Sequence, residues 1–73
     1  MTWHRNAVVS SELTPREREV LTLVGKGCTD GEVANLLGIT AGTVRSYMQV
    51  IFEKLDVSGR VEAAVWACKQ GWL

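Results

Sequence analysis

Apolar residues recur along this chain at helical spacing, and polar or glycine signals divide them into four segments. In the first segment Val20, Leu21 and Val24 share one face, joined by Leu23. In the second, shorter segment the apolar face is Val33, Ala34, Leu36 and Leu37. In the third, Val44, Met48, Ile51 and Leu55 stand at i, i+4, i+7 and i+11, which is the stripe that one side of a helix buries. In the fourth, Val61, Ala64, Val65 and Cys68 are read as the inner stripe, with Trp66 on another side flanked by Ala63 and Ala67. The expected fold is all-α, a four-helix bundle with a central helix-turn-helix.

Boundary signals agree with these segments. Thr14-Pro15-Arg16-Glu17 has the form of a capping box, with proline at the first helical position where its missing N–H costs nothing. Gly25 and Gly27 end the first helix. Thr29-Asp30-Gly31-Glu32 repeats the box, although Gly31 weakens the second helix by about 1 kcal/mol relative to alanine. Gly38 stops that helix with a positive φ. Ile39 plugs the turn, and Thr40 is the N-cap of a third helix running to about Leu55. Asp56, Ser58 and Gly59 mark the next turn. A fourth helix covers 60–70, and Gly71 ends it before Trp72 and Leu73. Residues 1–12 show no period and are read as an arm or as disordered, with Val8 and Val9 as candidates to pack on the domain and Trp3 to cover an apolar surface. The domain proper is 13–73.

Seventy-three residues make one small domain, and the hydrophobic fraction of 47% is ample for a core. A chain this short buries only roughly 60% of its unfolded surface, so close packing or oligomerisation matters to its stability. No apolar run approaches the roughly 20 residues of a membrane span, and the apolar patch at 7–9 is too short for a signal peptide, so a cytoplasmic location is expected. Cys28 and Cys68 are too far apart for a zinc or redox motif, so no metal is expected, and they are read as reduced and buried. No catalytic site is expected either. His4 is the single histidine and lies in the arm, and neither a paired-carboxylate motif nor a glycine-rich phosphate loop is present.

The pattern resembles the DNA-binding domain of LuxR/FixJ-type (GerE-type) transcription regulators. The resemblance covers 13–73 and is carried by LTPREREVL at 13–21, EVANLLGIT at 32–40, TVRSYM at 43–48 and KLDVSGRVEAAVWA at 54–67. It implies a bundle whose second and third helices form the helix-turn-helix and whose fourth commonly forms the dimer contact. It also implies that the residues after the threonine–valine pair, Arg45, Ser46 and Gln49, enter the major groove, with Thr40 and Thr43 at phosphate positions and Lys54 at a position that is usually basic. The dimer contact is assigned to Ala63, Trp66, Ala67 and Gln70, with Trp66 folding back on the monomer and Trp72 on the first helix as the other reading. Such regulators usually carry a receiver or ligand domain before this module. Its absence here is read as an excised effector domain or a stand-alone regulator, the arm from Met1 favouring the second. No cofactor is implied.

The chemistry of these side chains suits that role. Arginine can donate two parallel hydrogen bonds to guanine O6 and N7, glutamine can pair with adenine N6 and N7, and serine is small enough to let the helix approach. Threonine hydroxyls and free amides at a helix start suit phosphate oxygens. Tyr47 is read as packing against the second helix. Val50 is read either as touching a thymine methyl or as merely exposed.

Charge pulls the other way. Eight basic residues balance eight acidic ones. Between Thr40 and Arg60, three cations (Arg45, Lys54, Arg60) face two anions (Glu53, Asp56). Since phosphate neutralisation supplies most non-specific binding, a monomer should bind weakly. Relative to the family pattern, Gly42 stands for a common lysine, Tyr47 for a common histidine, Val50 for a polar residue and Glu53 for a base. Two readings follow. The first is a sequence-specific regulator of double-stranded DNA acting as a homodimer. The second is a protein-interaction module of the same fold that pairs with a related regulator or an RNA polymerase subunit.

Overall fold

A computed structural model describes residues 13–73; the expectations placed on the arm lie outside them. Four helices follow in order: α1 (Pro15–Gly25), α2 (Asp30–Leu37), α3 (Ala41–Leu55) and α4 (Arg60–Lys69), with no strand among the described residues. Both capping boxes form as expected. The Thr14 amide donates to Glu17 Oε1 at 2.9 Å while the Glu17 amide donates to Thr14 Oγ1 at 3.1 Å, and Thr29 and Glu32 repeat the exchange at 2.8 and 3.1 Å.

The helix ends share one device. After each helix a residue takes the left-handed conformation: Gly27 (φ 99°), Gly38 (φ 70°), Asp56 (φ 57°) and Gly71 (φ 82°). The next amide then reaches back five residues, from Cys28 to Leu23, Ile39 to Ala34, Val57 to Phe52 and Trp72 to Ala67, at 3.0–3.1 Å. This satisfies a terminal carbonyl and reverses the chain within a few residues. In all four cases the donor residue is partly buried against the core, so each reversal also delivers a plug. Asp56 carries out this task without glycine, which aspartate tolerates better than most residues.

α1 and α3 form the centre. α1 packs against the other three helices, most extensively against α4, and α3 also touches all three. Val20, Leu21, Val33, Val44 and Ile51 are wholly buried, and Val24, Met48 and Leu55 nearly so. Burying side chains of this size is worth about 1.5–3 kcal/mol each, more than any single surface ion pair contributes. The expected stripe on α3 is therefore the one that anchors it.

On α4 the expected face is wrong. Ala63 and Ala67 have no exposed surface, whereas Val61 is 76% and Val65 48% exposed, and Cys68 is exposed as well. The reason is the close approach of α4 to α1: small side chains let the two backbones come together, and the larger valines are turned out. Ala63 and Ala67 thus belong to the monomer's core and are withdrawn from the expected dimer contact. The cysteines are also not a buried pair, Cys28 being half-buried and Cys68 exposed.

The end of the chain folds back on α1. Trp66 is half-buried and meets Trp72 edge to face, ring centroids 5.2 Å apart at 87°. The Arg18 guanidinium lies 4.1 Å from the Trp72 ring centre. Beyond it Leu73 lies against Gly25, where a Cβ would come within 2.7 Å of the leucine Cδ1. Trp66 is consequently not the freely projecting side chain expected for a contact centre.

Glu17 has a second role that its capping box does not reveal. It is 6% exposed, and its Oε1 also accepts from Lys54 Nζ at 2.9 Å, tying the start of α1 to the end of α3. Burial is the largest influence on this carboxyl and raises its pKa, but the Thr14 amide and the hydrogen bond and charge of Lys54 together outweigh it and hold the pKa below the ordinary 4.5. The ionised form therefore stabilises the fold above the ordinary carboxylate range, and that contribution is lost as pH falls through the lowered value. Lys54→Met should cost about 1–3 kcal/mol at neutral pH, measured by the urea midpoint, because it leaves a buried anion without its cation. The gap between variant and parent should close below the carboxylate range; an equal gap at both pH values would assign the effect to the lysine stem.

Candidate nucleic-acid interface

The interface is built on the side of α3 that the core leaves out. With Val44, Met48, Ile51 and Leu55 turned inward, Gly42, Thr43, Arg45, Ser46, Gln49, Val50 and Glu53 are exposed. Arg45 and Gln49 lie one turn apart on this face, and Ser46 and Val50 form a second column beside them. A helix of 15 residues is about 22 Å long, ample to lie across a major groove. Arg45 has no hydrogen-bond or ion-pair partner among the described residues and borders an open cleft lined by the starts of α2, α3 and α4. Tyr47 is half-buried on the core, lining a shallow groove with Glu17 of α1.

The start of α3 differs from the other three. α1, α2 and α4 each carry an acidic residue in the first turn, and α3 carries none. Its partial positive charge is thus not compensated by the chain itself. Thr40 Oγ1 accepts from the Thr43 amide at 3.1 Å, and the two hydroxyl oxygens are 2.9 Å apart. One hydroxyl proton fills that contact, so whichever threonine donates, the other keeps a proton to offer outward. The amides of Ala41 and Gly42 precede the first helical hydrogen bond. Together these groups form a cluster of donors suited to an anionic oxygen.

Two of the three cations counted on this stretch are committed elsewhere. Lys54 is only 25% exposed at its side chain and is bonded to Glu17, so the structure gives it a role in holding α3 to α1 rather than an outward position. Arg60 donates to Asp30 Oδ1 at 3.0 Å and to the Cys28 carbonyl at 3.2 Å, linking the starts of α4 and α2. Glu17 and Asp30 lie 37 and 30 residues from their partners, distances at which no local sequence signal pairs them. Likewise α4 begins at Gly59 without a side-chain cap, and Glu62 instead accepts from the Ser58 amide and hydroxyl at 2.7 and 2.8 Å, which hold its carboxyl below the usual range. A serine four residues before a glutamate is the sequence signal that could have found this.

On α4 the outward surface is Val61 and Val65, beside a shallow groove shared with Val57, Glu62, Trp66 and Lys69. Gln70 is exposed at its end.

An all-helical domain in which a short helix, a left-handed glycine turn and a longer helix with one polar face follow in succession is a helix-turn-helix domain. The family described as bacterial regulatory proteins, luxR family (GerE), matches residues 11–67, and the chain belongs to it. It is similar to the transcriptional regulatory protein DesR of Bacillus subtilis, with 46% identity over 63 residues that make up 86% of this chain and 32% of that protein. It is also similar to LiaR of the same organism (45%, covering 85% of this chain and 29% of LiaR). The nitrate/nitrite response regulator NarL of Escherichia coli is 41% identical, over 77% of this chain and 26% of NarL. The chain thus spans about a third or less of the length of these relatives.

The threonine pair separates two roles. Thr40→Ala should lower stability by about 0.5–2 kcal/mol through loss of the cap, whereas Thr43→Ala, whose hydroxyl caps nothing, should change it by less than about 0.5 kcal/mol. Thermal unfolding of both variants measures the difference, and equal losses would show that the hydroxyl pair acts as one structural unit.

Proposed function

We propose that this chain is a sequence-specific DNA-binding module of a transcription regulator, with α3 seated in the major groove. The observation that carries this reading is the exposed row Arg45, Ser46 and Gln49 on a helix whose opposite side is buried. Arg45 pairs with guanine and Gln49 with adenine, each worth about 1–3 kcal/mol of discrimination, while Ser46 leaves room for the base edges. The donor cluster of Thr40, Thr43 and the first amides of α3 engages a phosphate and sets the register. Lys54 contributes through the orientation of α3. The named functions of DesR, LiaR and NarL support regulation of transcription as the setting.

The same reading includes a homodimer. With Arg45 as the cation on the exposed face of α3, one copy offers little charge to DNA, and two linked copies raise the effective concentration at paired half-sites. The contact is formed by Val61 and Val65 of α4, with the edge of Trp66 and Gln70 at the rim. An exposed pair of valines one turn apart is the kind of stripe that a second copy of the helix covers.

A protein-pairing module with a silent DNA face is the second reading, favoured by the commitment of Lys54 and Arg60 to ion pairs and by Glu53 at the end of the exposed face. Titration of labelled duplex at several salt concentrations distinguishes the two. The DNA reading expects log affinity to fall with log salt, and Arg45→Ala to cost about 1–3 kcal/mol while relaxing one base position. No binding even at low salt would leave the pairing module. Separately, Val61→Glu should shift the sedimentation mass from two copies towards one at micromolar concentration with the helix content unchanged. A parent that is already monomeric, both free and on duplex, would remove the dimer.

A further inference from the structure

We propose that Val50 reads a thymine 5-methyl group in the major groove, within one base step of the pair addressed by Gln49. The inference rests on the DNA reading above and assigns a specificity residue within it. Of the two exposed columns on α3, Arg45 and Gln49 present hydrogen-bonding groups, while Ser46 and Val50 present a small hydroxyl and then an isopropyl group. Val50 is 39% exposed, and the other exposed large hydrophobic residues (Leu36, Val61, Val65 and Leu73) lie on α2, on α4 and at the chain end. The buried stripe of α3 is complete without it, and the part of Val50 that remains open lies on the exposed face.

The surroundings fit a methyl group. A shallow cavity of about 220 Å³ is lined by Glu17, Thr43, Ser46, Tyr47 and Val50. Tyr47 is half-buried against the core, whereas Ser46 and Val50 on either side of it in sequence stand exposed. Thr43, Ser46 and Tyr47 therefore border the space beside Val50, with Glu17 of α1 completing the lining. In the major groove thymine alone among the four bases presents a methyl group, and apolar contact is what recognises it. A β-branched residue in a helix holds one rotamer, so this contact is preformed and costs little side-chain entropy. Ser46, one turn earlier, is short enough to let a base edge come close. The contact carries added weight here because so little positive charge is free on this face.

Thymine-to-uracil substitution tests the proposal, since it removes the 5-methyl and leaves the hydrogen-bonding edge intact. Duplexes are selected from a random pool with the full chain at about 50 mM salt, and each thymine of the best-bound duplex is then replaced singly by deoxyuridine. One replacement should weaken the parent about four-fold, the equivalent of one buried methyl. That same replacement should leave Val50→Ala unchanged, the variant being weaker than the parent by a similar factor on the thymine duplex. Val50 lies outside the buried stripe of α3, so the variant should keep the parent's helix content, which circular dichroism checks. A uracil scan that is flat for the parent overturns the proposal, as does a sensitive thymine whose effect persists undiminished in Val50→Ala. In both of those cases Arg45→Ala would still relax a base position. If no sequence is enriched and Arg45→Ala binds as the parent does, the DNA reading itself fails, and the role of Val50 with it.

Discussion

The rotational setting of α3 governs the rest of the molecule. Val44, Met48, Ile51 and Leu55 are buried together, and no other rotation of the helix buries them. Turning it by one residue would push Arg45 or Gln49 inward, where a charge or an amide would lose its water without a partner. The same apolar stripe that stabilises the domain therefore also decides which groups it shows. The exposed row is rigid because its back is packed, and a rigid row is what a reading helix needs if base contacts are to be made without ordering costs.

That setting depends in turn on how the helices are joined. Turns of three or four residues leave little freedom, and each helix ends with a left-handed residue followed by an amide that reaches back to the helix. The residue after the turn goes into the core each time. Ile39 and Val57 occupy these positions at the two ends of α3, so the helix is held at both ends by the links that connect it. In a domain with this little interior, hydrogen-bonded reversals that also bury apolar area do the work that a larger core would otherwise do.

Charge is used in a corresponding way. Lys54 and Arg60 are each paired with a carboxylate on another helix, and both ties lie at helix starts: Glu17 in the first turn of α1 and Asp30 in that of α2. These side chains fix helix ends relative to one another. Cations that a count of residues would offer to phosphate thus serve the architecture, and the exposed face of α3 is left with a mostly neutral set of groups, one arginine and one glutamate.

Local order was legible in the amino-acid sequence alone. The two threonine–glutamate boxes, the glycines at 27, 38 and 71, and the i, i+4, i+7, i+11 stripe of α3 each act within a few residues, and they were enough to bound four helices and the exposed row at 45, 46 and 49. The orientation of α4 was not legible. Its valines look like the inner stripe when hydrophobicity alone is weighed, but the tertiary structure buries Ala63 and Ala67 because α4 lies close on α1 and only small side chains fit between them. The pairing of Lys54 with Glu17 and of Arg60 with Asp30, and the meeting of Trp72 with Trp66 and Arg18, were likewise settled only in three dimensions. Turns, caps and periodicity depend on neighbours along the chain, whereas steric fit between helices and the meeting of distant charges depend on where the finished packing brings them.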